Sequence, residues 1–214
     1  TLLGLAWGVG HDDPEAARRW LHTGLWGFVA LVYVTVVHRM VPFFTSSALP
    51  LVRLWRPMWV LYVLVATVAL KTLGPWLTWA GLDATAWGAF EGFALLVAGF
   101  VLLWLAFVWG LVQSLAVRLL AMLHLGFVWL GLGLSIDGLG QIWAWIGGAP
   151  VAPLAALHAT TMGFLGSLML AMVTRVACGH GGRALVADRL SWSAFLLLQL
   201  ATLLRIAAAV APPA

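Results

Sequence analysis

Residues 117–136 read VRLLAMLHLGFVWLGLGLSI, and this stretch decides the fold class. Its one charged residue, Arg118, stands at the edge, and about 20 apolar residues are enough for a helix to cross a bilayer. Similar runs recur along the chain. We therefore predict six membrane spans, at residues 20–44, 54–73, 87–111, 117–136 (or on to 145), 152–176 and 191–210. Because backbone polar groups in a bilayer must be paired within the span, the predicted fold is all-α, a polytopic transmembrane helix bundle.

The composition supports this class. Of the 214 residues, 64% are hydrophobic and 8% are charged, far from the usage of soluble domains. Many of the 14 tryptophans lie near the predicted span ends, where indole suits the lipid headgroup boundary. The net charge of +4 comes from bases in short loops, so we expect no nucleic-acid partner. A single cysteine excludes an internal disulfide.

The first ten residues, TLLGLAWGVG, are apolar but too short to cross a bilayer. We interpret them as the end of a preceding helix. The interpretation predicts that residues 1–214 form a single transmembrane domain, the C-terminal part of a longer chain. The missing N-terminal half, or a partner membrane subunit, would then complete the protein.

Glycine and proline mark the predicted loops. They are Pro42, Pro50, Pro75, Gly81, Gly147, Gly148, Pro150, Pro153, Gly179, Gly181, Gly182, Pro212 and Pro213. Loops that carry arginine alternate along the chain with loops that do not. The arginines that set the orientation are Arg39, Arg53, Arg56, Arg118, Arg175, Arg183 and Arg189. The loop assigned to Asp137 has no base. By the positive-inside rule, the arginine-rich loops are predicted to be cytoplasmic.

Six histidines occur in the chain, and hydrocarbon does not solvate imidazole. A histidine at membrane depth therefore needs a partner, such as a metal, a cofactor, a proton or another polar group. The predicted orientation places His38 and His124 in an inner layer and His22 and His158 in an outer layer. His180 falls in an inner loop.

Two opposed imidazoles suit the axial ligation of a b-type haem, and three converging imidazoles suit copper. The alternative is that each histidine only forms a hydrogen bond between helices. Arginines near the inner layer could pair with haem propionates. The candidate cofactor-binding residues are His22, His38, His124, His158, Arg39 and Arg175. The candidate metal ligands are His22, His38, His124, His158 and His180.

Other polar residues in the spans have two interpretations. Glu91 and Arg205 fall at matching depths, so they could form a buried ion pair or part of a proton path, and we prefer the ion pair. Lys71 is expected to extend its ammonium to the membrane interface. Gln113 and Gln199 are expected to make contacts between helices.

Weaker patterns add little. Met162, Met169 and Met172 could be soft copper ligands, but methionine in an apolar span usually packs. Gly88 and Gly92 form a GxxxG pattern, which is a weak packing signal in a glycine-rich membrane chain. The sequence contains no Walker loop, CxxC, HExxH or CxxCH motif, and the last of these absences excludes a c-type haem held by this chain.

Three parts of the sequence resemble the NnrS family of membrane proteins. Residues 38–45, HRMVPFFT, are similar to its R-x-(I/V)-P-F-F-T segment, and residues 123–130, LHLGFVWL, to its LHLGFLWL segment. The third part joins LHA at 157–159, MVTRV at 172–176 and GHGGR at 179–183. It resembles the family's HA…M-x-(S/T)-R-V-x-x-G-H-(T/S/G)-G-R block, the most specific of the three.

The resemblance implies a bacterial inner-membrane protein that binds haem b and copper and is linked to nitric-oxide metabolism and denitrification. Family members have about twice as many spans, so this chain would match their C-terminal half. The candidates within the matched motifs are His38, His124, His158, His180 and Arg175. His22 lies just upstream of the first motif.

The residues leave several functions open. The leading hypothesis is a haem- and copper-binding protein that senses or handles nitric oxide. The alternatives are a quinol-linked electron-transfer or oxidoreductase subunit, a copper transport or delivery protein, and a structural subunit of a larger complex. Whether the protein is an enzyme stays undecided from the sequence.

Overall fold

The computed structural model describes residues 1–49, 55–148, 153–182 and 184–210. Helices account for almost all of them, and the described ranges contain no β-strand. The helices are α1 (Leu2–Gly10), α2 (Pro14–Gly24), α3 (Leu31–Ala48), α4 (Met58–Trp79), α5 (Ala84–Val108), α6 (Leu111–Ser114), α7 (Arg118–Trp145), α8 (Pro153–His158), α9 (Ser167–His180) and α10 (Arg189–Val210). Two π-helical segments, π1 (Leu25–Ala30) and π2 (Ala159–Gly166), join α2 to α3 and α8 to α9.

Six helical units in the described ranges are long and apolar enough to cross a membrane, which confirms the predicted all-α polytopic bundle. They cover Pro14–Ala48, Met58–Trp79, Ala84–Val108, Arg118–Trp145, Leu154–His180 and Arg189–Val210. All six overlap the predicted spans, and the fourth takes its longer form. Several predicted features lie outside the described residues, namely the span ends at 54 and 152, the markers Pro50, Pro150, Pro212 and Pro213, and the bases Arg53 and Arg183.

Three of the predicted loop markers lie inside helices, and one of them is Gly179, near the end of α9. Pro42 lies inside α3 and Pro75 inside α4, so both helices continue past the proline. Membrane helices tolerate proline because neighbouring side chains and small backbone adjustments satisfy the freed carbonyl groups. Asp137 lies within α7, not in a loop as predicted. At Gly81 and Gly147 the backbone does turn, with φ values of +102° and +89° that suit glycine.

The helix α7 forms the centre of the bundle. About 72% of an apolar 18-residue segment of α7 is buried inside the bundle, against 11% of the corresponding segment of α10, which faces outward. Small residues let α5 and α7 approach closely. A Cβ atom added at Gly138 would lie 2.6 Å from the Gly92 carbonyl oxygen, and one added at Gly131 would lie 3.1 Å from that of Gly99. This close contact fixes the position of polar side chains carried by α5 and α7.

Candidate functional site

His124 is fully buried in α7, where three oxygen atoms surround its ring. Its Nδ1 atom lies 3.2 Å from the Leu120 carbonyl oxygen, one turn earlier in the helix. Its Nε2 atom lies 3.2 Å from the Trp109 carbonyl oxygen and 3.5 Å from Thr45 Oγ1. Because the Thr45 hydroxyl donates to the Val41 carbonyl at 2.7 Å, it presents a lone pair to the ring. Carbonyl oxygens and this lone pair all accept hydrogen bonds, so both ring nitrogens face acceptors.

Trp109 also takes part in a second set of contacts, which hold the segment before α4 against the bundle. Trp109 donates its indole N–H to the Trp55 carbonyl at 3.0 Å. His38, in α3, is 2% exposed, and its Nε2 lies 3.1 Å from the Pro57 carbonyl oxygen. His38 and His124 thus both contact carbonyl groups at helix ends. These contacts join α3, α4, α5 and α7 at one end of the bundle.

His180 stands in a different environment, in the last turn of α9 and not in a loop as predicted. It is exposed, and its Nδ1 lies 3.0 Å from the Val176 carbonyl oxygen. No hydrogen bond to its Nε2 is found within the described ranges. His180 lines a cleft of about 420 Å³ whose other lining residues are Phe44, Met172, Arg175, Val176, Gly179 and Leu185.

Arg175 supplies the positive charge of this cleft. Its guanidinium carbon lies 3.6 Å from the centre of the Phe44 ring, a cation–π contact. No carboxylate within the described parts of the chain lies within ion-pair distance of Arg175. The cleft therefore combines, among the described residues, an imidazole nitrogen without a hydrogen-bond partner, a guanidinium without a carboxylate partner and apolar walls.

The other predicted ligands are not among the residues that line this cleft. His22 lies near the opposite end of the first span and lines a cleft of about 370 Å³ together with Arg19 and Trp79. Its Nδ1 atom is buried and has no hydrogen-bond partner among the described residues. His158 is half-buried at the end of α8, and Arg39 is exposed on α3.

No group of three or more histidine, cysteine, aspartate or glutamate side chains in the described ranges could hold a metal ion. No hydrogen bond or ring contact joins two histidines in that part of the chain. The ligand assignments and the two histidine layers stay predictions. Every hydrogen bond that the structure gives to a histidine ring among the described residues joins it to an oxygen atom of the same chain.

A buried charged cluster contains two residues whose places were predicted incorrectly. Lys71, expected at the interface, is held inside the bundle, with its ammonium 2.7 Å from Asp137 Oδ2 and 3.2 Å from Glu91 Oε1. The expected pair between Glu91 and Arg205 does not form, because Arg205 is exposed on α10. Sequence reasoning missed the cluster since Asp137 was assigned to a loop. The signal was available in the continuation of the apolar pattern beyond residue 136.

The hydrogen bonds of Gln199 confirm the prediction that this residue joins neighbouring helices. Trp129 donates its indole N–H to Gln199 Oε1 at 2.6 Å, and the Gln199 amide donates to Ser167 Oγ at 2.8 Å. Two residues beside the histidines were not singled out from the sequence. They are Thr45 and Trp109, which contact His124 through a hydroxyl and a backbone carbonyl, and apolar periodicity does not reveal contacts of this kind.

The sequence was compared with protein-family models, with curated proteins and with solved structures. A family model described as NnrS protein matches residues 1–214. No curated protein and no solved structure matches the chain. The family model covers the three motifs as well as the six spans between and around them. The chain therefore belongs to the NnrS family.

Proposed function

We propose that this multi-pass membrane protein binds haem b in the cleft formed by His180 and Arg175 and takes part in the response to nitric oxide. The observation that supports the proposal best is the placement in one cleft of an imidazole nitrogen and a guanidinium that have no hydrogen-bond or ion-pair partner among the described residues. The nitric-oxide link and the location in a bacterial inner membrane come from the family resemblance. When bound, haem supplies an iron that binds nitric oxide.

The local geometry of His180 suits an axial ligand. An imidazole that coordinates a metal through one nitrogen usually donates its other N–H to a carbonyl or carboxylate, which fixes the tautomer and the ring orientation. The contact between Nδ1 and the Val176 carbonyl at 3.0 Å satisfies this requirement. With the proton on Nδ1, the lone pair of Nε2 is available for coordination.

The surroundings of His180 suit the rest of a porphyrin. Arg175 has no acidic partner among the described residues, so its guanidinium could pair with a propionate group. Phe44, Met172 and Leu185 provide apolar contacts for the macrocycle. Met172 also lines an adjoining groove of about 240 Å³ between α3, α7 and α9, whose walls are almost entirely apolar. The cleft therefore fits the polar edge and the apolar body of this cofactor.

His124 fits haem less well. The Trp109 carbonyl at 3.2 Å and Thr45 Oγ1 at 3.5 Å lie close to its Nε2, which leaves no space for a porphyrin plane beside that nitrogen. We assign His124 to the packing of α3, α5 and α7. The described residues bring no three suitable side chains together as a ligand set for copper. The roles predicted for His22, His38 and His158 stay predictions, as do the electron-transfer and copper-delivery hypotheses.

The test is an absorption spectrum of protein purified after expression with a supply of haem. We expect a Soret band in the wild type and its loss in His180→Ala. His11→Ala is a matched control, because His11 is also exposed and its Nδ1 also contacts a carbonyl oxygen one turn earlier, that of Trp7 at 2.8 Å. A wild-type protein without a Soret band, or a His180→Ala variant with full absorbance, would contradict the proposal.

A further inference from the structure

We propose that the cleft lined by Arg19 and His22 binds a phosphate group, supplied by the headgroup of an anionic lipid or by free phosphate. The cleft has a volume of about 370 Å³, and its lining residues are Glu15, Arg18, Arg19, His22, Pro75, Thr78 and Trp79. The inference does not depend on haem binding, because the cleft of His180 meets the first span at its other end, at Phe44.

Arg19 carries a charge that the described residues leave without a counter-ion. Its side chain is half-buried, and its guanidinium carbon lies 5.4 Å from the centre of the Trp79 ring, a cation–π contact that orients the group without cancelling its charge. Its Nε is shielded from solvent, and no hydrogen bond from the guanidinium to a described residue is found. A guanidinium presents five N–H donors in a planar fork that matches the oxygen atoms of a phosphate group. Arg19 therefore offers donors for which the described residues supply no acceptor.

His22 brings a second donor to the same cleft. It is half-buried, and no hydrogen bond to either ring nitrogen is found in the described part of the chain, so its N–H can lie on either nitrogen. The Thr78 hydroxyl already donates to the Gly74 carbonyl oxygen at 3.1 Å, so it adds no donor. Within the described ranges, three buried side-chain nitrogen or oxygen atoms lack a partner, and two of them belong to Arg19 and His22. An oxyanion in the cleft would supply acceptors to both side chains.

The charges of the cleft favour an anion. Arg18 pairs with Glu15, with 3.3 Å between the guanidinium and the carboxylate, so this exposed pair contributes no net charge. Glu15 carries the one carboxylate among the described residues that line the cleft, and the charge of Arg19 is therefore left over. A phosphate diester, which has a single negative charge, matches this remaining positive charge.

The aromatic residues beside the cleft place it at the level of lipid headgroups. The rings of Trp20 and Trp76 lie 4.8 Å apart between their centres, and those of Trp76 and Trp79 lie 6.1 Å apart. Tryptophan is enriched where a helix meets the boundary between membrane and water. Lipid phosphates lie at this boundary and free phosphate reaches it from the water, so both sources of the group have access to Arg19.

The experiment is isothermal titration calorimetry of the full chain in a phosphate-free maltoside detergent. One arm uses a short-chain phosphatidylglycerol below its micelle concentration, and the other uses inorganic phosphate. We expect one site per chain in the wild type and about tenfold weaker binding in Arg19→Gln, because hydrogen bonds from a charged donor are lost. Arg19→Lys keeps the charge but not the planar fork, so its loss should be smaller, about threefold.

Arg205→Gln is the matched control, because Arg205 is an exposed arginine on α10 that does not line the cleft, and it should bind both probes as the wild type does. Binding of the lipid alone identifies a headgroup site, and binding of both probes identifies a site for free phosphate as well. Either result supports the proposal when Arg19→Gln weakens it. A wild type that binds neither probe would overturn the proposal, as would wild-type affinity in Arg19→Gln or an equal loss in Arg205→Gln. Arg19→Lys decides the question where Arg19→Gln does not fold.

Discussion

Two polar regions of this bundle, each with a histidine held by the carbonyl one turn earlier, differ in what surrounds the rest of the ring. His124 is fully buried, and its second nitrogen faces the Trp109 carbonyl and Thr45. His180 is exposed beside Arg175, and the described residues offer its second nitrogen no partner. The contact between Nδ1 and a carbonyl is thus the same in both places. The other nitrogen packs against oxygen atoms in His124, and it can coordinate a ligand in His180. Whether the second ring nitrogen can bind a ligand depends on whether neighbouring groups already occupy the space beside it.

The same contrast applies to the charged residues. Lys71 is buried between two carboxylates, whereas Arg175 forms no ion pair among the described residues and makes a cation–π contact with Phe44. We call the Lys71 cluster and the His124 pocket the closed sites, and the cleft of His180 and Arg175 the open site. Substitutions in the closed sites should reduce stability, and those in the open site should reduce ligand binding.

The largest effect is expected at Lys71. Lys71→Met leaves two buried carboxyl groups without their counter-ion, and breaking a buried ion pair costs about 3–5 kcal/mol. Arg175→Met, which breaks no ion pair in the described structure, should change stability by about 0.5 kcal/mol or less. Thermal unfolding of haem-free protein in detergent measures both. Equal losses in the two variants would remove the distinction between the closed and open sites.

A smaller but clear loss is expected at His124. His124→Ala removes a fully buried ring and leaves the Trp109 carbonyl without its partner, at a cost of about 2–4 kcal/mol. His180→Ala, at an exposed position, should unfold close to the wild-type temperature in the same haem-free assay. If His180→Ala were the less stable of the two, the assignment of His124 to packing would be wrong.

Haem retention should depend on the charge of the open site. Under the proposed function, Arg175→Gln removes a propionate partner, and we expect about tenfold weaker retention of haem. Competition with a soluble haem acceptor measures this ratio. Arg18→Gln provides the control, because Arg18 is an exposed arginine near the other end of the first span. Equal retention in Arg175→Gln and wild type would exclude a propionate contact at Arg175.

The smallest effect is expected at Thr45. Thr45→Val keeps the shape of the side chain but removes the oxygen 3.5 Å from His124 Nε2, at a cost of about 1 kcal/mol. Ser46→Ala is the neighbouring control, because Ser46 is half-buried and, among the described residues, its hydroxyl donates only to the Phe43 carbonyl. A Thr45→Val variant as stable as Ser46→Ala would show that this oxygen contributes nothing to the closed site.

Much of the fold could be predicted from the sequence, because bilayer thickness and backbone pairing leave few options for a long apolar run. The failures were local. Pro42 and Pro75 were assigned to loops, since proline breaks helices in water, but neighbouring helices in the bundle accommodate it. The loop predicted at Asp137 is instead part of α7, where Lys71 compensates the charge inside the bundle.

The candidate site could be predicted only as a set of residue types. Histidines in apolar spans indicated a role for imidazole, and the GHGGR motif singled out His180. The availability of each ring nitrogen could not be deduced. It depends on carbonyl and hydroxyl groups brought in by other helices, such as Trp109 and Thr45 beside His124.

The sequence by itself determined the class of this protein, six apolar helices in a membrane, because hydrocarbon imposes a length and a backbone pairing that any spanning segment must meet. Its motifs also determined the family. Tertiary structure alone decided which polar side chains satisfy one another, as Lys71 does with Glu91 and Asp137, and which stay available, as in the cleft of His180 and Arg175. The reason is that ion pairs and hydrogen bonds act over about 3 Å, so they depend on contacts between helices that are distant in the chain.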